Sequence, residues 1–161
     1  MQGDKELFGR LGQIEPKKPY GVELFDALAR LTITVAVEAV CLKRDAHEQV
    51  QVYLVQRAQD DTAYPGQWHC PGSAMRPGEE IQDVIKRLEK KEFDLPLLSS
   101  LFVENFNHPG EERGHFFSLI YLCSMGEKEG MRGKWFPIDG LPEKMVEHHR
   151  QAIIPIGVKA L

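Results

Sequence analysis

The sequence lacks a long apolar run, a paired set of cysteines and an excess of charge of one sign. Its most apolar segment, residues 31–42, is too short to span a bilayer and contains Glu38. Three cysteines without CxxC spacing give neither a zinc motif nor a disulfide framework. Twenty basic and 24 acidic residues leave a formal net charge of −4, which gives no electrostatic reason to expect a nucleic-acid polymer or a membrane surface as a partner.

The first residues are charged and lack the apolar stretch of a signal peptide. Together with the unpaired cysteines, this predicts a cytoplasmic protein with reduced, mostly buried thiols. The 161 residues are 42% hydrophobic and 27% charged, which is typical of one globular domain that folds without disulfides. Residues 1–19, which end in Pro16-Lys17-Lys18-Pro19, are predicted to form an N-terminal extension, and residues 20–161 a single domain.

Hydrophobic periodicity predicts strands on both sides of a central helix. The predicted elements are a helix over 22–31, a hairpin of strands 32–40 and 50–56, a helix from 81 that stops at Pro96, strands near 97–107 and 114–123, and a last helix that opens near 141–143. This order predicts a mixed α/β sandwich rather than a regular βαβ repeat. Four histidines, His108, His115, His148 and His149, have no metal-motif spacing and are interpreted as packing or surface residues.

The chemistry is concentrated in a glycine-bent loop and the helix that follows it. The loop contains Pro71-Gly72-Ser73 and Pro77-Gly78-Glu79-Glu80, and the helix contains Arg87 and Glu92. Glycine allows the backbone to approach a ligand closely, because it has no Cβ. Carboxylates on the helix suit a hard divalent cation bound to phosphate oxygens.

This block resembles the box of the Nudix hydrolases, G-x(5)-E-x(7)-R-E-U-x-E-E-x-G-U, in which U is bulky and aliphatic. Aligned from Ser73 to Leu95, the chain keeps the residues Glu79, Arg87 and Glu92. The box is degenerate elsewhere: Ser73 replaces the first glycine, Leu88 and Lys91 replace two glutamates, and Asp94 replaces the last glycine. The flanking segments 56–72 and 134–142 resemble the same family. The resemblance implies an α/β (α+β) fold, a Nudix-type α/β/α sandwich with a mixed central sheet.

The resemblance also implies a site for Mg²⁺ or Mn²⁺. The implied metal ligands are Glu92, Glu129, a backbone carbonyl near Gly72 and, one residue from an expected position, Glu89. The implied catalytic residues are Glu92 and Glu112, the second in a loop where some family members place a general base. The candidates for substrate binding are Arg57, Lys91 and Arg113. Four box residues, Ser73, Gly78, Glu79 and Arg87, are predicted to be structural, with Glu79 capping the helix and Arg87 forming an ion pair.

At about 100° per residue, positions 88, 91 and 92 share one face of a helix. An intact box places three glutamates there, whereas this face has an aliphatic residue, a cation and a carboxylate. The charge of Lys91 repels a metal ion and favours direct pairing with a substrate phosphate.

Two functions remain open at this stage. The first is metal-dependent hydrolysis of a nucleoside diphosphate linked to another moiety, at a weakened metal site. The alternative is a catalytically inactive Nudix fold that acts as a nucleotide-binding or protein-interaction module. An isoprenoid-diphosphate isomerase needs a reactive cysteine and a histidine cluster, for which Cys70 and His69 are a thin basis. Homodimers are common for this fold, so a homodimer is expected by resemblance.

Overall fold

A mixed sheet lies at the centre of the computed structural model, which describes residues 2–161. Within this range there are seven strands: β1 Ile33–Arg44, β2 Val50–Gln56, β3 Trp68–His69, β4 Gly72–Ala74, β5 Leu97–Glu111, β6 Gly114–Met125 and β7 Lys134–Pro137. The order is β3-β2-β1-β6-β5, with β4 also paired to β1 and β7 to β2. Only the β1–β6 pair is parallel among these described strands. The predicted hairpin of β1 and β2 is confirmed by their antiparallel pairing.

The sheet is covered on both faces. Residues 36–42 of β1 are buried without alternation, as expected for a strand packed on both sides. One core cluster joins the sheet to Val84, Ile85 and Leu88, and a second joins it to Ile153 and Ile154. The α/β/α sandwich predicted from the sequence is therefore confirmed.

The helices are α1 Gln2–Leu11, α2 Val22–Leu31, α3 Ile81–Leu88 and α4 Ile154–Lys159, with π-helical turns at Glu89–Phe93 and His149–Ile153. The predicted helix over 22–31 is confirmed as α2. The predicted extension contains α1, whose side chains from residue 3 onward are exposed. The division into extension and domain stays a prediction, as does the homodimer. None of the helices in the described range is long and apolar enough to cross a membrane.

The last helix begins later than the sequence pattern predicts. Residues 144–146 run beside β3 instead: the Trp68 N–H donates to the Lys144 carbonyl at 2.9 Å, and the Val146 N–H donates to the Trp68 carbonyl at 2.9 Å. Because these backbone groups bond to a neighbouring strand, residues 141–146 are irregular and helical structure begins at residue 147.

Strand β5 is longer than predicted, because it pairs with β6 as far as Glu111 and Gly114, and β6 extends past the predicted residue 123 to Met125. Most of the predicted loop 108–113 is therefore strand.

Candidate functional site

An arginine on α3 holds the glycine-bent loop against the helix. Arg87 Nε and Nη2 donate to the two carboxylate oxygens of Glu79 at 3.1 and 2.7 Å, and Nη2 also donates to the Ala74 carbonyl at 3.0 Å. A further Arg87 N–H donates to the Ser73 hydroxyl, so the serine that replaces a box glycine adds a contact to this frame. Gly78 occupies the turn before the helix, with φ of 77°.

Glu79 does not cap the helix as predicted. The N-cap is Glu80, which forms a reciprocal capping box with Asp83. Glu79 instead accepts hydrogen bonds from Arg87 and, at 2.7 Å, from the Arg76 N–H. Partial burial acts to raise the pKa of Glu79, but these hydrogen bonds hold it below its ordinary value.

The helix does not continue as a regular α-helix past Leu88. Its last turn is π-helical and ends at Asp94, where φ is 55° and the N–H donates to the Glu89 carbonyl at 2.7 Å. Because of this wider turn, Leu88 and Glu92 point inward while the Lys91 side chain is 64% exposed. Positions 88, 91 and 92, which are predicted to share one face of the helix, therefore do not: 88 and 92 face the core and 91 faces solvent.

The loop after β6 is tied to the end of this helix. Lys128 Nζ contacts Asp94 Oδ2 at 2.6 Å, and Arg132 Nη1 donates to the Lys91 carbonyl at 2.7 Å. At the far end of the loop, the Gly133 N–H donates to the buried Tyr53 hydroxyl at 2.7 Å. A side chain at position 133 would collide with the Tyr53 ring and the backbone of β2, so glycine permits this bond.

A groove of about 700 Å³ lies between residues 18–25 and the glycine-bent loop with the helix that follows it. Seven of its lining side chains are basic and two are acidic. The candidates Arg57, Lys91 and Arg113 all line it. Arg57 pairs with Asp61 at 2.9 Å, and Arg113 with Asp26 at 3.2 Å and with Asp61, so these two arginines are held by acids.

The groove adjoins a smaller cavity of about 100 Å³ whose wall contains four histidines, His69, His108, His148 and His149. Their rings follow one another: the centroids are 4.5 Å apart from His108 to His148, 4.6 Å from His148 to His149, and 5.8 Å from His149 to His69. The Cys70 N–H donates to His149 Nδ1 at 3.2 Å, so this nitrogen is the acceptor and the ring is neutral.

The cavity is polar but largely uncharged along this histidine chain. Burial lowers the pKa of His69 to about 3 and of His148 to about 4, and it places the pKa of His149 well below its ordinary value. Burial also raises the pKa of Glu38 to about 8, so this carboxyl is mostly protonated at neutral pH. Glu38 Oε2 and His108 Nδ1 are buried without a hydrogen-bond partner.

The sequence pattern assigned no role to this cavity. The sequence offers one signal for the cavity: Glu38 is a charged residue within the most apolar strand of the chain. The histidines come from β3, β5 and the segment before α4, so their proximity depends on the tertiary fold.

Gly72 brings its strand against Glu38. These two residues pair across β1 and β4, and a Cβ at Gly72 would lie 2.6 Å from the Glu38 carboxyl carbon, so a larger residue at position 72 would require the Glu38 side chain to move. Of the other predicted site residues, Glu112 and Glu129 are exposed, and neither lines the groove or the cavity. Glu111, beside Glu112, does line the cavity.

The model of the NUDIX domain family matches residues 33–154 of the chain. The chain belongs to the Nudix family. A mouse protein named 8-oxo-dGDP phosphatase NUDT18 is 26% identical over 158 residues, which are 94% of this chain and 47% of that protein. The chain therefore spans about half the length of this curated relative.

Solved structures share the Nudix fold at low identity. The NUDIX domain of Shewanella oneidensis NrtR, crystallised with ADP ribose, matches with a TM-score of 0.65 and 17% identity over 93% of this chain and 95% of that one. A MutT NUDIX hydrolase from Burkholderia pseudomallei matches with a TM-score of 0.57 and 22% identity over 76% of this chain and 96% of that one.

Nudix hydrolases generally use divalent metals, and the carboxylates of this chain do not fit one. Leu88 is in the core, and the Glu92 carboxylate is paired with Lys91 Nζ at 3.5 Å. Glu89 Oε1 accepts the Leu97 N–H at 2.8 Å, while Glu129 lies exposed on the loop. Within residues 2–161, no group of three or more His, Cys, Asp or Glu side chains has the geometry to hold a metal ion.

Proposed function

We propose that this Nudix domain binds a nucleoside diphosphate joined to a second moiety. The diphosphate lies in the basic groove, and the heterocyclic ring enters the histidine cavity. The observation that carries the proposal is the juxtaposition of a groove lined by seven basic side chains with a polar cavity. Three histidines and Glu38 in the cavity wall are uncharged, and Glu38 Oε2 and His108 Nδ1 are buried there without a hydrogen-bond partner.

The charge of the groove favours a phosphate-bearing ligand. The chain as a whole has a net charge of −4, yet the lining of the groove has an excess of five basic side chains, seven less two. A cleft lined by one sign of charge attracts ligands of the opposite sign. The volume of about 700 Å³ lies in the range of small-molecule sites.

The cavity favours an uncharged ring with hydrogen-bonding edges. A buried polar atom without a partner costs free energy, and a bound ligand that supplies the partner recovers it. The protonated Glu38 offers a donor, and His108 Nδ1 offers a donor or an acceptor according to its tautomer. An apolar group in this cavity would leave both atoms unpaired.

The names of two relatives agree with the nucleoside diphosphate part of this ligand class, and ADP ribose also contains a second moiety. The NrtR domain was crystallised with ADP ribose, and the mouse relative is named for 8-oxo-dGDP. Each of these compounds is a nucleoside with a diphosphate. The mouse protein is about twice as long as this chain, so its substrate supports the class of ligand only.

Titration calorimetry tests the proposal. We expect ADP-ribose or 8-oxo-dGDP to bind, and we expect adenosine, which lacks the diphosphate, to bind at least about tenfold more weakly. The variant His108→Phe should weaken binding of the nucleotides, because Phe removes a ring nitrogen from the cavity wall. His47→Phe is the matched control on the exposed β1–β2 turn. Equal affinity for adenosine and ADP-ribose would contradict the proposal.

Hydrolysis of the same ligand is the second candidate, and Glu92 favours it. This carboxylate is the residue that the box retains on the helix, and it lines the groove. The test is release of nucleoside monophosphate or phosphate with Mg²⁺ or Mn²⁺ present. Turnover that disappears in Glu92→Gln but persists in Glu89→Gln would support hydrolysis. Wild-type turnover no higher than that of Glu92→Gln would contradict hydrolysis and leave ligand binding as the proposed function.

A further inference from the structure

The π-helical turn after α3 presents a cation where the family pattern has a metal ligand. Lys91 Nζ lies 3.5 Å from Glu92 Oε1, so the retained carboxylate is already paired with a positive charge. The lysine side chain is 64% exposed and lines the groove, which leaves its ammonium open to a ligand. A divalent cation placed at Glu92 would meet the Lys91 charge at close range, and like charges repel.

Arg132 adds a second cation at the same place. Its Nη1 donates to the Lys91 carbonyl at 2.7 Å, which fixes the guanidinium beside the helix end. Among the described residues, no carboxylate lies within salt-bridge distance of Arg132. The guanidinium has five N–H donors, and the remaining ones are available to a ligand.

Of the other four arginines of the groove, three pair with a carboxylate, and the fourth, Arg76, donates to the Lys17 carbonyl at 3.5 Å. Arg57, Arg87 and Arg113 each pair with a carboxylate, so they hold the walls of the groove. Lys91 Nζ forms an ion pair with one carboxylate, that of Glu92, and Arg132 donates only to a backbone carbonyl. Among the groove cations that no carboxylate fully neutralises, Lys91 and Arg132 are joined by a direct hydrogen bond between their residues, so they lie together on one wall.

We infer that Lys91 and Arg132 bind the diphosphate of the ligand in place of a divalent metal. This inference rests on the proposed function, because it assumes that the diphosphate lies in the groove. Arginine and lysine bind phosphate oxygens by charge-assisted hydrogen bonds, so the two residues supply the charge neutralisation that a metal ion gives elsewhere. Binding is accordingly independent of Mg²⁺ and insensitive to EDTA.

The test measures binding of ADP-ribose and of inorganic pyrophosphate, each in EDTA and in Mg²⁺. We expect equal Kd values for a given ligand in the two buffers. Arg132→Gln should weaken binding in EDTA by about 10- to 100-fold, the effect of losing one hydrogen bond between charged groups. Lys91→Glu should weaken it by at least as much, because it also reverses the charge. Lys90→Glu, which is exposed and does not line the groove, and Arg44→Gln on the hairpin are the matched controls. Both controls should keep the wild-type Kd.

The outcomes separate this inference from the proposed function. Binding of either ligand that needs Mg²⁺, or that Lys91→Glu leaves unchanged, overturns the inference while nucleotide binding stands. Pyrophosphate binding in EDTA that depends on Lys91, without any binding of ADP-ribose or 8-oxo-dGDP, supports the inference and contradicts the proposed function. Binding of none of the ligands overturns both. Thermal unfolding of each variant checks that it is folded.

Discussion

The carboxyl group of Glu38 occupies the space that a side chain at position 72 would need. The two residues pair across β1 and β4, and a Cβ at position 72 would come within 2.6 Å of the Glu38 carboxyl carbon. The glutamate is buried and has little room to move aside. The chain thus combines a buried acid and a closely packed glycine at one point of the site.

Gly72→Ala should destabilise the protein by about 1–3 kcal/mol, because it overpacks this contact. Glu38→Ala in the same chain should recover most of the loss, since the clashing group is then absent. Chemical denaturation of the two single variants and the double variant gives the coupling energy. Gly110→Ala, which has open space around it, is the control and should change little. Additive effects of Glu38→Ala and Gly72→Ala would show that the contact is not responsible.

The buried acid makes stability depend on pH. The pKa of Glu38 is raised by burial to about 8 in the folded protein, against an ordinary value of 4.5. The folded state therefore holds a proton that the unfolded state has lost, and stability falls as pH rises from about 4.5 through 8. Arg57 acts to lower this pKa and Glu111 acts to raise it, so both belong to the same electrostatic neighbourhood.

Glu38→Gln should remove this dependence, because the amide keeps the shape but does not titrate. Between pH 6.5 and 8, the unfolding free energy of the wild type should drop by about 1–2 kcal/mol relative to that of Glu38→Gln. Urea denaturation of both proteins at the two pH values measures the difference, and contributions from the histidines cancel in the comparison. Parallel pH profiles would contradict a protonated Glu38.

Arg87→Lys should destabilise the loop–helix frame by about 2–4 kcal/mol. A lysine keeps the charge, but it does not reproduce the two-pronged bond to Glu79 together with the bonds to Ala74 and Ser73. Lys86→Arg, the exposed neighbour, should have almost no effect. The midpoint of urea unfolding measures both. An unchanged midpoint for Arg87→Lys would show that charge alone holds the loop.

Tyr53→Phe should destabilise the protein by about 1–3 kcal/mol and loosen the loop before β7. The variant leaves the Gly133 N–H without its acceptor in a buried position. Tyr121→Phe, a partly exposed tyrosine on β6, is the control. Amide hydrogen exchange at Gly133 should become markedly faster in Tyr53→Phe and not in Tyr121→Phe. Unchanged exchange protection at Gly133 in Tyr53→Phe would show that the Tyr53 hydroxyl does not stabilise this amide.

The sequence predicts most of the fold because its patterns are local or belong to the family. The alternation of residues 32–40 and 50–56 predicts β1 and β2, and the spacing of apolar residues predicts α2 and α3. The last helix is misplaced because Trp68, distant in sequence, takes the backbone bonds of residues 144–146. No local pattern shows that pairing.

The site is less predictable than the fold. The box locates Arg87, Glu79 and Lys91, but a count of 100° per residue misses the π-helical turn that separates Lys91 from Leu88. The histidine cavity is missed because its rings meet only in three dimensions. Predictions of Mg²⁺ or Mn²⁺ binding, of catalysis by Glu92 and Glu112, and of cytoplasmic location stay predictions.

The bond between Tyr53 and Gly133 has a consequence for the thermodynamics of recognition. Because a core side chain anchors the loop next to Arg132, that guanidinium is held close to its working position before any ligand arrives. A group that is already ordered loses little conformational entropy on binding. Association at this wall of the groove should therefore show a small entropic penalty, and Tyr53→Phe should enlarge the penalty without removing a single contact to the ligand.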